Sequence, residues 1–436
     1  MAKKKQPLPN LDVSSLPGPE TIHKYELDNG IIFLARENFS SPSVVISGFQ
    51  DGGSLNEVQN EAGLASLMMS MLMRGTKSKK FQQIYESIES IGANLQFGIG
   101  KHSYSFFGKG LAEDLDQLLE LLSDVLINPS FPEEQFERVK AEKLTSLSIR
   151  DQNTGARANL GFNALAYPEH PYSTPTSGFQ ETIKPITLEV VQDFHQRLIG
   201  PKGFVISIVG GIPADKALAS VERYLGAWKN PHQKPQPELP ALKPIKGLIR
   251  ENIYLEGKIQ SDIVLGVHGP SRFDPGYLAS VLGNNILGRF GMYGRIGSQV
   301  REAAGLAYYA FSSIAGGPGP GAWKAVAGVN PANVEFAIDL IRDEFRKFLT
   351  DGVTLEELSD NQANFIGSLP LQLESNEGVA GALIHLERYD LELDYYQQYP
   401  ELIASITRKQ VLESARRFLS PDNLVVVVAG PAENGS

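Results

Sequence analysis

The sequence predicts an α+β protein of two homologous halves, each an antiparallel sheet with helices packed on it. Three observations carry that reading. Strand-like and helix-like segments come in runs instead of in βαβ alternation. The chain also repeats an ending: Arg197-Leu198-Ile199-Gly200-Pro201-Lys202-Gly203-Phe204 runs into VISIVGG, and Arg417-Phe418-Leu419-Ser420-Pro421-Asp422-Asn423-Leu424 runs into VVVVAGP. In both, a helix ends near a proline turn and a β-branched strand follows. Finally, residues 228–247 (WKNPHQKPQPELPALKPIKG) hold five prolines and little periodicity, the composition of an extended linker. The predicted organisation is an extended arm over 1–20, a first half over 21–227, a strap over 228–247 and a second half over 248–432.

In chain order, residues 23–38 (HKYELDNGIIFLAREN) read as a hairpin turning at Asp28-Asn29-Gly30, since Asn-Gly suits a tight primed turn. Residues 43–53 continue as a strand, 62–75 as a buried helix and 93–111 as a second hairpin. Residues 118–144 and 337–365 share one pattern: an amphipathic helix, a turn, an acidic helix start, then another helix.

The 436 residues are 42% hydrophobic with a formal net charge of -10, ordinary for a globular chain able to bury more than one core. The acidic balance argues against nucleic-acid partners. The chain has no cysteine, which removes disulfides, thiolate metal sites and cysteine nucleophiles. No run of about 18 apolar residues occurs, so no membrane span is expected. Lys3, Lys4 and Lys5 are followed by Pro7 and Pro9 instead of an apolar stretch, so the start reads as an arm and not a targeting segment. A cytoplasmic location is expected, or a periplasmic one if a signal has been trimmed.

Residues 51–80 (DGGSLNEVQNEAGLASLMMSMLMRGTKSKK) resemble the signature segment of the pitrilysin/insulinase/processing-peptidase family of zinc peptidases. The scaffold positions Gly53, Ser54, Asn56, Glu57, Ala62, Gly63, Leu64, Ala65, Met71, Leu72, Gly75 and Thr76 match. The chemistry departs: Ser66 stands at the first His of the family's His-x-x-Glu-His, Met69 at the Glu and Ser70 at the second His. Residues 128–144 look like the helix giving the family's distal Glu ligand, but counting from Glu137-Arg138 places Leu144 there; Glu142 falls on another face. Residues 167–183 resemble the substrate-side loop, and 286–321 the second half's Arg-Glu-x-x-Gly-Leu-Ala-Tyr region.

The resemblance implies the processing-peptidase/LuxS-like metallohydrolase fold. It implies a metal gripped by two imidazoles one helical turn apart, with a glutamate as general base. A serine hydroxyl is a poor neutral ligand for zinc and a thioether prefers softer metals. No metal and no cofactor are therefore expected on this chain. The histidines His23, His102, His170, His195, His232, His268 and His385 show no ligand spacing. Met68, Met69, Met71 and Met73 read as core filler.

The family also uses an Arg and, seven residues on, a Tyr to hold the peptide; Arg301 and Tyr308 in REAAGLAY fit, whereas Tyr309 reads as a packed strand aromatic. The glycines of 288–321 lack the Lys-Ser/Thr of a phosphate loop and read as a flexible loop at a cavity mouth. The expected function is the non-catalytic subunit of a two-chain peptidase. It binds extended peptide at the edge strand within 94–106 and is paired with a homologous zinc-bearing chain in a heterodimer, or with itself in a homodimer. The alternatives are a purely structural subunit, like the core proteins of the respiratory bc1 complex, and a hydrolase using Ser66 or Ser70.

Overall fold

The computed structural model describes residues 8–432; the Lys3–Lys5 start of the arm lies outside the described residues. Strands β1 (His23–Glu26), β2 (Ile32–Glu37), β3 (Ser43–Asp51), β4 (Asn94–Ile99), β5 (Ser103–Leu111) and β6 (Phe204–Gly210) form one sheet in the order β1-β2-β6-β3-β5-β4. Strands β7 (Leu248–Tyr254), β8 (Ser261–His268), β9 (Ala307–Ile314), β10 (Ala322–Val329) and β11 (Leu424–Gly430) form a second in the order β7-β11-β8-β10-β9. Without β1, the first order reproduces the second strand for strand. Each sheet is antiparallel except for one parallel pair, β2 with β6 and β7 with β11. The last strand of each half arrives after a helical run, and a long return of that kind permits parallel pairing.

The first half carries helices α1 (Leu64–Met71), α2 (Phe81–Glu89), α3 (Leu115–Ile127), α4 (Glu133–Asp151), α5 (Thr154–Ala166), α6 (Gln180–Ile183), α7 (Leu188–Leu198) and α8 (Ala214–Leu225). The second carries α9 (Tyr277–Gly288), α10 (Phe290–Gly297), α11 (Val334–Asp351), α12 (Leu355–Gln372), α13 (Asn376–Arg388), α14 (Tyr395–Ser405) and α15 (Arg408–Phe418). Met68, Met69 and Met71 sit in the first-half core, as expected of filler.

Two helices cross between halves. α5 leaves the first half and lies on β7, β8 and β11, while α13 leaves the second and lies on β2, β3 and β6. Phe162 and Ala158 of α5 pack with Val264, Val425 and Val427. Val379 and Leu383 of α13 pack with Leu34, Val45 and Val205. The sequence of α5 permits the close approach: a Cβ on Gly161 would meet Ile253 Cδ1 at 2.9 Å and Val427 Cγ1 at 3.0 Å. Each sheet thus has one face covered by its own helices and the other by a helix of its sister. Residues 233–246 have no regular secondary structure, and the strap is pinned by Gln233 Nε2 to Lys202 O at 2.8 Å and Gln236 Nε2 to His102 O at 3.2 Å.

Candidate functional site

Helix α1 follows β3 and packs against α4, α7 and the edge strand β4. Its buried N-terminal amides need acceptors. Glu57 supplies one, its Oε1 accepting from Gly63 N at 3.2 Å and Ala65 N at 2.7 Å. Burial pushes this carboxyl up to about 7, against the pull of the two amides and of Lys101. Glu57, one of the matched scaffold positions, is a desolvated cap.

One turn in, Ser66 is half-buried and its Oγ accepts from the Lys143 ammonium of α4 at 2.5 Å. Ser70 is exposed and its Oγ donates to Ser66 O at 2.9 Å, the back-bonding a serine makes within a helix. Met69 is 4% exposed in the core. Leu144 packs on the same core, and Glu142 faces outward, paired with Arg138 at 3.0 Å and Arg74 at 3.5 Å. Burial lowers the Lys143 pKa, with the Glu57 carboxylate opposing the shift.

The residues at these positions do not fit zinc. They offer hydroxyls, a thioether and an alkyl chain, and an ammonium bonded to Ser66 repels any cation approaching it. Among the described residues no group of three or more His, Asp or Glu side chains is placed to hold a metal ion. His102, His170 and His268 do gather around Tyr167 and Tyr172 between the halves. There His268 Nε2 donates to Ala166 O and His170 Nδ1 accepts from Tyr172 N at 3.1 Å. Sequence reasoning missed Lys143, although it stands one residue before the position counted to Leu144.

Arg301 and Tyr308 lie on consecutive elements. The π-helical segment Ser298–Ala303 carries Arg301, a turn passes through Gly305, and β9 begins with Ala307 and Tyr308. A π-turn at a helix end is a frequent mark of a functional position. β9 is the edge of its sheet and Tyr308 is 84% exposed. Its neighbour Tyr309 turns inward and donates to Asp262, which also accepts from Thr154 of the crossed helix. The segment 298–314 packs on α9, α10, α11 and β10 of the second half, whereas Ser66 and Lys143 belong to the first. The glycine-bearing stretch expected as a flexible loop is helical over 290–303. The amphipathic pattern explains this: Ile296 and Val300 are buried, while Arg295 grips Glu357 with two bonds of 2.6 Å.

Residues 34–177 match the family model described as insulinase (peptidase family M16), and residues 185–365 match the peptidase M16 inactive domain. An uncharacterized zinc protease of Mycobacterium leprae is 23% identical over 372 residues, covering 84% of this chain and 82% of that protein. One from Bacillus subtilis is 24% identical over 354 residues, covering 81% and 85%. The crystal structure of a peptidase M16 inactive domain from Pseudomonas fluorescens superposes with a TM-score of 0.87 at 27% identity, over 94% of this chain and 98% of that one. A protease from Helicobacter pylori shares the fold with a TM-score of 0.88 at 20% identity, over 95% and 100%.

Proposed function

The chain belongs to the M16 (insulinase) family of peptidases, and from that premise we propose that it is the non-catalytic chain of a two-chain peptidase. Its partner is a homologous chain bearing His-x-x-Glu-His, which holds the zinc that supplies an activated water. The observation that carries the reading is the Lys143 ammonium bonded to Ser66 where an active relative needs an imidazole on its metal. This chain binds extended peptide along β4, which pairs on one side only with β5 and leaves its other edge free for strand addition. Arg301 hydrogen-bonds a peptide carbonyl in the partner's site, and the exposed Tyr308 hydroxyl donates to the oxyanion forming there.

Metal analysis and a peptidase assay test this, on the purified chain alone and mixed with a zinc-motif homologue. The expected result is no stoichiometric zinc and no cleavage alone, with cleavage in the mixture. In the mixture, Tyr308→Phe on this chain lowers kcat about 10²-fold to 10³-fold, the usual loss for an oxyanion donor, while Arg301→Ala acts chiefly on KM. Tight zinc in the isolated chain, or chelator-sensitive cleavage by it, overturns the proposal. Assembly without any effect of either variant selects the structural-subunit alternative.

A further inference from the structure

Between the halves lies a cavity of about 390 Å³, bounded by the β4–β5 turn, the loop around Tyr172, and the β9–β10 hairpin of the second half. Two ammonium groups line it, Lys101 from the turn and Lys324 from β10, and no carboxylate does. Lys101 donates to the carbonyl of Thr174. Lys324 donates to Asn159 Oδ1 and lies 5.7 Å from the face of Phe162. Neither makes a salt bridge among the described residues. Glu57, the carboxylate that acts on Lys101, is occupied in capping α1.

A third donor faces the same space. Gln236 Nε2 donates to His102 Nδ1 at 3.2 Å, so the ring proton is on Nε2 and is donated to Tyr172 Oη at 2.6 Å. The Tyr172 hydroxyl therefore accepts from His102, and its own proton has no acceptor among the described residues. A Cβ at Gly319 would lie 2.1 Å from Tyr172 Oη, so the bare glycine lets the hairpin approach the phenol closely.

We propose that this cavity binds a carboxylate, held by Lys101, Lys324 and the Tyr172 hydroxyl. Partly buried cations call for a counter-ion, and among the described residues no carboxylate lines this cavity. Burial lowers the pKa of both lysines, that of Lys101 to about 8, and a bound anion would reverse that shift.

The test is thermal unfolding of the full chain at matched ionic strength with three probes at millimolar concentration. N-acetylalanine presents a chain-terminal carboxylate, N-acetylglutamate α-amide a side-chain carboxylate, and N-acetylglutamine α-amide none. At least one carboxylate probe is expected to raise Tm while the amide does not, and the responding probe identifies the source. Lys101→Met and Lys324→Met each weaken the response about tenfold or more, and each raises the ligand-free Tm by removing an uncompensated buried charge. Equal responses to all three probes, or a lower ligand-free Tm in both variants with the probe response intact, overturn the proposal. No partner chain enters the assay, so its failure leaves the two-chain reading standing.

Discussion

In the first half, the seam between α1 and α4 is closed by a charge: the Lys143 ammonium on Ser66 Oγ. In the second half, the helix that follows the equivalent strand is α9, and its seam with α12 is closed by neutral amides, Asn285 Nδ2 donating to Asn361 Oδ1 at 2.5 Å. Leaving out β1, the sheets beneath are five strands in the same order. One framework thus holds two seams of different polarity, and neither offers the donor set of a zinc site. What differs functionally is the edge: β4 presents open backbone beside α1, and β9 presents Tyr308 to solvent. On the proposed reading, peptide is held at these two edges and the metal sits on a partner chain.

The likeness of the halves suggests that each folds alone; the crossed helices say otherwise. Removing the second half strips α13 from β2, β3 and β6, and removing the first strips α5 from β7, β8 and β11. The largest expected effect follows. Halves cut within residues 233–246 are insoluble or molten when produced separately and assemble when co-expressed, while the intact chain unfolds in one transition by circular dichroism. Two resolved transitions in the intact chain would break the comparison. Next in size are single truncations on the two crossed helices. Phe162→Ala on α5 removes a fully buried ring and costs about 3–5 kcal/mol, and Leu383→Ala on α13 costs about 2–5 kcal/mol. Because the halves melt together, each variant lowers the midpoint of the same single denaturant transition.

The acid limb sharpens the same point. Burial holds His195 of the first half and His385 of α13 at about 4, and Arg272 and Arg388 press His385 further in that direction. A depressed folded pKa contributes stability above the unfolded value of about 6.5, lost as pH falls toward 4. Each histidine then steepens the loss by up to about 1.4 kcal/mol per pH unit. Glu57, raised to about 7, has the opposite sign: its contribution is present below the unfolded carboxylate value and is lost as pH rises through 7. His102, also near 4, reinforces the two histidines, so stability rises with pH between about 4.5 and 6.5. His195→Gln and His385→Gln each flatten that limb in urea titrations. A limb unchanged in both variants sinks the assignment.

Much of this architecture was legible because local chemistry dictated it. Gly30, at φ +85°, closes the first hairpin. Asn29 does not share its positive φ, and the five-residue loop from Leu27 to Ile31 is not the primed turn expected. The β-branched runs set β6 and β11, and the proline spacing set the strap. The chemistry of Ser66, Met69 and Ser70, hydroxyls and a thioether, was legible whatever the fold, and their places on α1 follow from their spacing. The crossing of α5 and α13 was not legible, because an amphipathic helix records that it needs a sheet and not which sheet. The bond from Lys143 to Ser66 spans 77 positions and depends on a helix crossing that no periodicity encodes. The glycines of 288–321 misled for a related reason: intrinsic preference spoke for a loop, and the Arg295–Glu357 pair with buried Ile296 and Val300 overrode it.

The smallest expected effects compare the seams and the exposed edge. Ser66→Ala leaves a half-buried ammonium short of an acceptor, and Asn361→Ala orphans the Asn285 amide; each costs about 1–3 kcal/mol. The two seams diverge under salt. Raising ionic strength screens the charged seam and shrinks the Ser66→Ala penalty, while the neutral Asn361→Ala penalty holds. Tyr308→Phe lies at the bottom of the scale. With 84% of the residue exposed, its hydroxyl holds no buried contact, and the change in stability stays within about 0.5 kcal/mol. A stability-neutral Tyr308→Phe that still slows cleavage by the mixed chains separates a residue kept for a partner's chemistry from one kept for packing. A destabilised variant would return Tyr308 to the same structural role as Tyr309.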